Sequence, residues 1–214
     1  MDVDSYKVKS SIIIFRKSLF AGMCISLGGT VYLVVGGTVG AVLFSFGLLS
    51  VVHYELPLYT GKCGFIKIKE DIIRLPLILF GNIIGAFFFS LIIKCAKPEL
   101  VRKATDIVTT RINYSILQTF FLAMLCGIIM TIVVKFAKKK KFIPLLVGIP
   151  LFIVCGFVHS IADSFYYFMS STNIVVDNII TCLVLYFTSV IGNFVGCIIP
   201  NEFVYGSFVC ENEE

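Results

Sequence analysis

The sequence has few side chains that could support catalysis or metal binding. Its two histidines, His53 and His159, form no H-x-x-x-H pair, and its eight cysteines include no C-x-x-C pair. The best remaining pair is His159 with Asp163, four residues apart on one helix face, which is a poor ligand set for a metal. No nucleotide-binding loop or nucleic-acid-binding surface is recognisable. These absences disfavour an enzyme, and we expect no cofactor and no metal site.

Long apolar segments make up most of the chain instead. Hydrophobic residues are 58% of the 214 residues, and the mean hydropathy is +0.98. About 20 apolar residues suffice for a helix to cross the ~30 Å hydrocarbon core of a bilayer. We interpret six segments as membrane spans, at approximately 18–35, 38–60, 71–94, 112–136, 142–169 and 174–200. The sequence therefore predicts an all-α membrane protein with a single domain over residues 1–214.

The distribution of lysine and arginine predicts the orientation. With both termini on one side, 13 of these residues lie in the N-terminal segment and in the second and fourth loops, against five in the third loop. Cytoplasmic loops carry an excess of positive charge, so we expect both termini in the cytoplasm. The five outer residues lie within 94–111, where they would form a positive field that concentrates anions. For Lys94 and Lys97, anchoring to lipid headgroups is the simpler interpretation.

Two copies of one motif indicate an internal repeat. Residues 81–85 read Gly-Asn-Ile-Ile-Gly and residues 192–196 read Gly-Asn-Phe-Val-Gly, 111 positions apart, in the third and the sixth span. Each half would contain three spans, so the second half must enter the membrane upside down. We therefore predict two inverted repeats, at approximately 1–97 and 98–200, followed by a cytoplasmic tail over 201–214.

Spans two and five carry the features of interrupted helices. Pro57 and Gly61 disfavour a continuous helix in span two, although residues 53–70 are equally compatible with an interfacial turn. His159 lies near the middle of span five, where an ionisable group is costly unless it faces a partner or a cavity. In an inverted repeat, the break after Thr60 would meet the break around His159.

The residues at these breaks resemble a known family. Gly156-Phe157-Val158-His159-Ser160-Ile161-Ala162 closely resembles the G-F-E-H-S-I-A signature of the formate/nitrite transporters, and Leu58-Tyr59-Thr60-Gly61 resembles their L-F-T-G loop. Both Gly-Asn-x-x-Gly strings also fall where that family has them. The resemblance implies an aquaporin-like protomer with its own pore, assembled as a homopentamer in the plasma (inner) membrane. It implies passive or proton-linked passage of small monovalent anions such as formate, nitrite, lactate or hydrosulfide.

The resemblance also implies roles for polar residues. His159 would be the central pore histidine, Thr60 its partner on the opposite broken helix, and Arg111 the counterpart of a lysine in the outer vestibule. Further residues would shape the breaks or their surroundings: Gly61, Ser160, Asp163, Gly127, Asn82 and Asn193.

Apolar residues of the same segments would narrow the pore. By resemblance, Phe152 would be the aromatic residue of the cytoplasmic constriction, and Leu48 and Phe44 would lie one turn apart along the same pore. Tyr59 replaces an aromatic residue beside Thr60. Aromatic and apolar residues at helical spacing more often serve packing alone, and that interpretation stays open here.

Several positions depart from the family pattern. Val158 stands where the family has glutamate, and Asp163 replaces an asparagine, which restores a carboxylate one helical turn from His159. Gly127 stands where the family usually has asparagine, and Lys62 replaces an uncharged residue. The choice of anion and the gating are therefore not predicted by the resemblance.

Other interpretations remain. A hydrosulfide-selective member of the same family is the main alternative, and the cysteines, which suit apolar packing, give it no support. A channel for neutral solutes of the aquaporin type is disfavoured because neither break contains Asn-Pro-Ala. A purely structural helix bundle would pack His159 against a partner such as Asp163.

Overall fold

The computed structural model describes the backbone of residues 3–66 and 69–206, and the side chains of residues 10–66, 70–204 and Gly206. Helices joined by short connections account for this part of the chain. In chain order they are α1 (Val3–Val35), α2 (Gly37–His53), α3 (Tyr59–Cys63), α4 (Lys69–Ala96), α5 (Leu100–Ile112), α6 (Ile116–Lys138), α7 (Ile143–Val154), α8 (Ser160–Met169), α9 (Thr172–Asp177) and α10 (Ile179–Tyr205).

Six spans are built from eight of these helices. Within the described residues, α1, α4, α6 and α10 contain segments long and apolar enough to cross a bilayer unaided. The apolar helices α2 and α7 are shorter, with 17 and 12 residues, and each is followed by a turn and a second short helix, α3 or α8. The predicted architecture of six spans with interruptions in the second and the fifth is confirmed.

Three helix boundaries differ from the approximate ranges predicted from the sequence. The fourth span begins at Ile116, because Ser115 caps α6 by accepting a hydrogen bond from the Gln118 N–H at 3.1 Å, and the preceding α5 is a separate amphipathic helix. Residues 3–17 continue without a break into span one. The last span extends to Tyr205, so the predicted tail begins with helix, and its residues 207–214 lie outside the described part.

Glycines bring the long helices into close contact in both halves. Gly81 and Gly85 of α4 lie against the backbone of α1, and an added Cβ at Gly85 would overlap the Leu19 carbonyl. Gly192 and Gly196 of α10 lie in the same way against α6, and an added Cβ at Gly196 would overlap the Met124 carbonyl. Small residues permit this approach of helix backbones. The repeated motif therefore makes equivalent contacts in both repeats, as an inverted repeat requires.

The asparagines of the same motifs hold the two breaks. Asn82 accepts a hydrogen bond from the Tyr59 N–H at 2.9 Å and donates to the carbonyl oxygen of Pro57 at 3.0 Å. Asn193 accepts from the Ser160 N–H at 2.8 Å and donates to the carbonyl oxygen of Val158 at 2.8 Å. Backbone groups that an interrupted helix leaves without partners are thereby satisfied inside the protein.

The break in span two lies in the interior. His53 and Glu55 are exposed, but the chain then returns inward, because Leu58 and Thr60 are only 1% and 0% exposed. The interfacial turn that the sequence left open therefore ends before Leu56. From there the chain forms a buried turn that leads into α3.

Candidate functional site at the two breaks

The two short helices begin face to face, and one polar contact joins them. His159 is the residue before α8, and its Nδ1 accepts a hydrogen bond from the Ala162 N–H at 3.2 Å. Its Nε2 lies 3.0 Å from the hydroxyl oxygen of Thr60 on α3. An Nδ1 that accepts a hydrogen bond carries no proton, so the proton of the neutral ring is on Nε2, which donates to Thr60. The structure thus brings together the two polar residues that the sequence paired.

A first cavity, the Arg111 cavity, reaches His159 from the side of α5. It has a volume of about 200 Å³, several times the ~30 Å³ that one water molecule occupies in the liquid. Its walls carry a guanidinium, a carboxylate and the phenol groups of three tyrosines that the sequence did not indicate. The lining residues are Tyr32, Phe44, Ile107, Thr110, Arg111, Tyr114, Phe152, Ile153, Gly156, Phe157, His159, Ala162, Asp163 and Tyr166.

A second cavity, the Lys62 cavity, lies on the side of α3. Its volume is about 340 Å³. Apolar residues form its inner end, and two lysines and a glutamate lie toward its mouth. The lining residues are Leu48, Val51, Val52, Glu55, Leu56, Leu58, Gly61, Lys62, Val134 and Lys138.

Aromatic residues close the inner end of the Arg111 cavity. The rings of Phe44 and Phe152 meet edge to face with centroids 6.2 Å apart, and Phe152 stacks on the His159 ring at 5.7 Å. Phe152 therefore lines the same cavity as Arg111, whereas the resemblance implied a place in the cytoplasmic constriction. The turn 155–158 runs back toward α8, which leaves the end of α7 on the same side of His159 as Arg111.

Leucines close the inner end of the Lys62 cavity. Leu48 lies one turn after Phe44 on α2 and lines this cavity together with Leu58. The sequence did not single out Leu58 as a pore residue. The internal repeat could have identified it. Asn82 binds the backbone groups on either side of Leu58, and Asn193 binds those on either side of His159, so the two residues have equivalent positions.

Two predicted residues have positions that the sequence did not suggest. The Tyr59 side chain lines neither cavity, because its hydroxyl donates to the Val190 carbonyl oxygen at 3.3 Å and the ring packs toward α10. Gly127 lies in the α6–α10 contact, where an added Cβ would overlap the Asn193 carbonyl. An asparagine at position 127 would therefore face α10 and not the cavity. Gly61 lies at the Lys62 cavity, and the Ser160 hydroxyl is buried without a hydrogen-bond partner.

Arg111 and Asp163 form an ion pair in the wall of the Arg111 cavity. The Nε of Arg111 lies 3.2 Å from an Asp163 carboxylate oxygen, with side chains 14% and 6% exposed. Arg111 also donates to the Gly156 carbonyl oxygen at 2.9 Å and to that of Phe157 at 3.4 Å. The pair therefore joins α5, the turn before α8 and α8 itself. Val158, at the position of the family's glutamate, is 1% exposed.

The described residues contain neither a metal-binding cluster nor a disulfide. Among the described residues, no group of three or more His, Cys, Asp or Glu side chains could hold a metal ion. The seven described cysteines are free, and Cys197 contacts the Thr60 carbonyl oxygen at 3.2 Å.

The fold is that of a membrane protein of six spans, in which two interrupted helices meet between two cavities. The family model for the formate/nitrite transporter matches residues 4–207, and the chain belongs to this family of transporters, which are not enzymes. It is similar to a formate-nitrite transporter of Plasmodium ovale, with 23% identity over 255 residues that cover 96% of this chain and 80% of the relative.

Two solved structures show the same fold. A pentameric formate channel with formate bound has a TM-score of 0.84 and 21% identity, covering 92% of this chain and 97% of that chain. An FNT family ion channel has a TM-score of 0.75 and 16% identity, covering 95% of this chain and 92% of that chain.

Proposed function

We propose that the chain conducts small monovalent anions, such as formate or nitrite, with one path in each protomer of a homopentamer. The path leads from the Arg111 cavity past His159 and Thr60 to the Lys62 cavity. The observation that carries the proposal is the 3.0 Å contact between His159 and Thr60. It supports a path because His159 lines the Arg111 cavity and Gly61, next to Thr60, lines the Lys62 cavity. The protein would lie in the plasma (inner) membrane with both termini in the cytoplasm.

The constrictions decide what can pass. Phe44 and Phe152 on one side and Leu48 and Leu58 on the other offer no partner to an ion. Moving a bare charge into such surroundings costs many kcal/mol. The constrictions therefore favour small anions of weak acids, because such an anion can take up a proton and cross as the neutral acid.

Donors near the middle of the path lower the remaining cost. Of the first amides of α8, the Ser160 N–H is bound by Asn193 and the Ala162 N–H by His159. These two amides are therefore already paired within the protein. The donors that face the path are the Nε2–H of His159 and the hydroxyl of Thr60, which currently bind each other and would turn to an arriving anion.

A proton-linked version gives His159 a further role. For His159 to protonate an anion A⁻, its Nδ1 must first take up a proton and release the Ala162 N–H. Transfer of the Nε2 proton to A⁻ then yields HA and the neutral ring with its proton on Nδ1. Each proton transfer would thereby loosen the first turn of α8. Water would then take the proton from Nδ1 and supply one to Nε2, which restores the starting tautomer.

The test is anion uptake by proteoliposomes that contain the purified protein. Formate, nitrite, lactate and hydrosulfide are compared with glycerol at two pH values. We expect uptake of formate or nitrite that increases at the lower pH, where more of each weak acid is neutral. Uptake of glycerol but of no anion would contradict the proposal, and uptake restricted to hydrosulfide would identify the alternative member of the family.

The histidine is tested with a matched pair of variants. His159→Ala removes the central donor, and we expect it to alter the pH dependence of uptake while the oligomer stays intact. His53→Ala removes the other histidine, which is exposed and lines neither cavity, and should behave as the wild type. An unchanged pH dependence in His159→Ala would exclude the proton role.

Oligomer size is tested independently of transport. The proposal of a homopentamer is supported by the pentameric formate channel that shares the fold. Mass measurement of the purified protein in native conditions should give five copies of the 23.8 kDa chain. A monomer or dimer that still transports anions would refute the pentamer and leave the path within each protomer unaffected.

A further inference from the structure

Asp163 holds the cation that an entering anion would meet first. In the Arg111 cavity, Arg111 is the only lysine or arginine among the lining residues, and its Nε lies 3.2 Å from the Asp163 carboxylate. Both side chains are largely withdrawn from solvent. The pair is formally neutral, so the cavity wall lacks the unbalanced positive charge that would attract an anion.

The other contacts of Arg111 do not change this balance. Its two terminal nitrogens donate to the carbonyl oxygens of Gly156 and Phe157, which carry no net charge. These two bonds fix the guanidinium on the turn before α8 independently of Asp163. A guanidinium has five N–H donors, and the Nε of Arg111 is buried without a hydrogen-bond partner, although the Asp163 carboxylate lies 3.2 Å from it as an ion-pair partner. A small planar anion would bind at this edge, against the same carboxylate.

We propose that Asp163 is a built-in competitor for an anion subsite at Arg111. The inference rests on the proposed function: an incoming formate or nitrite displaces the Asp163 carboxylate from the guanidinium before it reaches His159. A carboxylate and a planar monovalent anion carry the same charge and fit the same edge of a guanidinium, so they compete for it. Because a tethered group competes at an effective concentration on the order of millimolar or above, Asp163 sets a high substrate threshold.

The first test compares two variants that remove one negative charge each. Asp163→Asn keeps the size of the side chain and an oxygen that can accept from Arg111, but it leaves the guanidinium charge unbalanced. Asp106→Asn is the matched control, because Asp106 lies on α5 with an exposed side chain and does not line the cavity. Uptake is measured in proteoliposomes over a range of formate and nitrite concentrations.

The expected result is a change in half-saturation that is specific to position 163. Loss of one charge-assisted contact should lower the half-saturating anion concentration about tenfold in Asp163→Asn, whereas Asp106→Asn should stay within about twofold of wild type. An unchanged or higher value in Asp163→Asn, or an equal decrease in both variants, overturns the inference. Absence of anion uptake by the wild type would instead contradict the proposed function.

A second variant keeps the inference testable if the unbalanced charge prevents Asp163→Asn from assembling. Arg111→Gln combined with Asp163→Asn removes both charges, so no buried charge is left without its partner. Because this variant lacks the subsite together with its competitor, its half-saturating anion concentration should be equal to or higher than that of the wild type. A value about tenfold lower than that of the wild type would show that Asp163 opposes the anion without acting through Arg111, and would overturn the inference.

Discussion

Replacement of Asn193 by alanine should destabilise the protein through the break in span five. Asn193 is fully buried and makes three hydrogen bonds, to the Ser160 N–H and to the carbonyl oxygens of Val158 and Ala123. The Ala123 carbonyl lies within α6 and keeps its place in the helix. The Ser160 N–H and the Val158 carbonyl lie at the break, where no neighbouring helical turn can replace the lost partner.

The magnitude follows from these two groups. Each buried polar group left without a partner costs about 1–3 kcal/mol. With two such groups, Asn193→Ala should lower the free energy of unfolding by about 2–6 kcal/mol. For a chain of this size, 1 kcal/mol shifts the melting temperature by about 2–4 °C. The expected decrease is therefore between about 4 and 24 °C, with loss of anion uptake because His159 no longer has a fixed position.

The assay is thermal unfolding of the purified protein in detergent. Asn82→Ala should give a decrease of similar size, because Asn82 makes the equivalent bonds at the other break. Asn113→Ala is the control, since Asn113 is exposed and its amide donates only to the Thr109 carbonyl within its own chain segment. If Asn193→Ala melts within about 2 °C of wild type, the breaks do not depend on these asparagines and the reasoning is wrong.

Two further variants test the packing and the constriction. Gly196→Ala should prevent folding or lower the melting temperature strongly, because its Cβ would overlap the Met124 backbone. Gly61→Ala should be tolerated, since its Cβ would approach nothing closer than the Leu58 Cβ at 3.7 Å. Equal melting temperatures of the two variants would contradict the close contact of α6 and α10. Leu58→Ala removes most of a buried side chain at the inner end of the Lys62 cavity and should increase lactate uptake relative to formate uptake several-fold. The exposed Leu146 of α7 provides the control Leu146→Ala, and an unchanged uptake ratio in Leu58→Ala would show that Leu58 does not limit the size of the anion.

Local chain properties account for the part of the fold that sequence reasoning reached. A span is recognisable because a helix in a bilayer must be long and apolar, and Pro57, Gly61 and His159 mark breaks because each is unfavourable in a continuous apolar helix. The repeated Gly-Asn-x-x-Gly string indicated the inverted repeat, which in turn placed Thr60 opposite His159. These inferences need only the order and spacing of residues.

The remaining features depend on how helices rotate and fold back on one another. The turn 155–158 connects α7 to α8 so that Phe152 stacks on the His159 ring and lies on the Arg111 side. The rotation of α3 directs Tyr59 to α10 and leaves Leu58 at the Lys62 cavity, and the separation of α6 and α10 leaves no space for a side chain at position 127.

By itself, then, the sequence determined an all-helical membrane protein of six spans, two of them broken, with one histidine at the meeting point. Only the tertiary structure decided that Arg111 is paired with Asp163, because the two residues lie on different helices whose relative position is set by packing and not by sequence spacing.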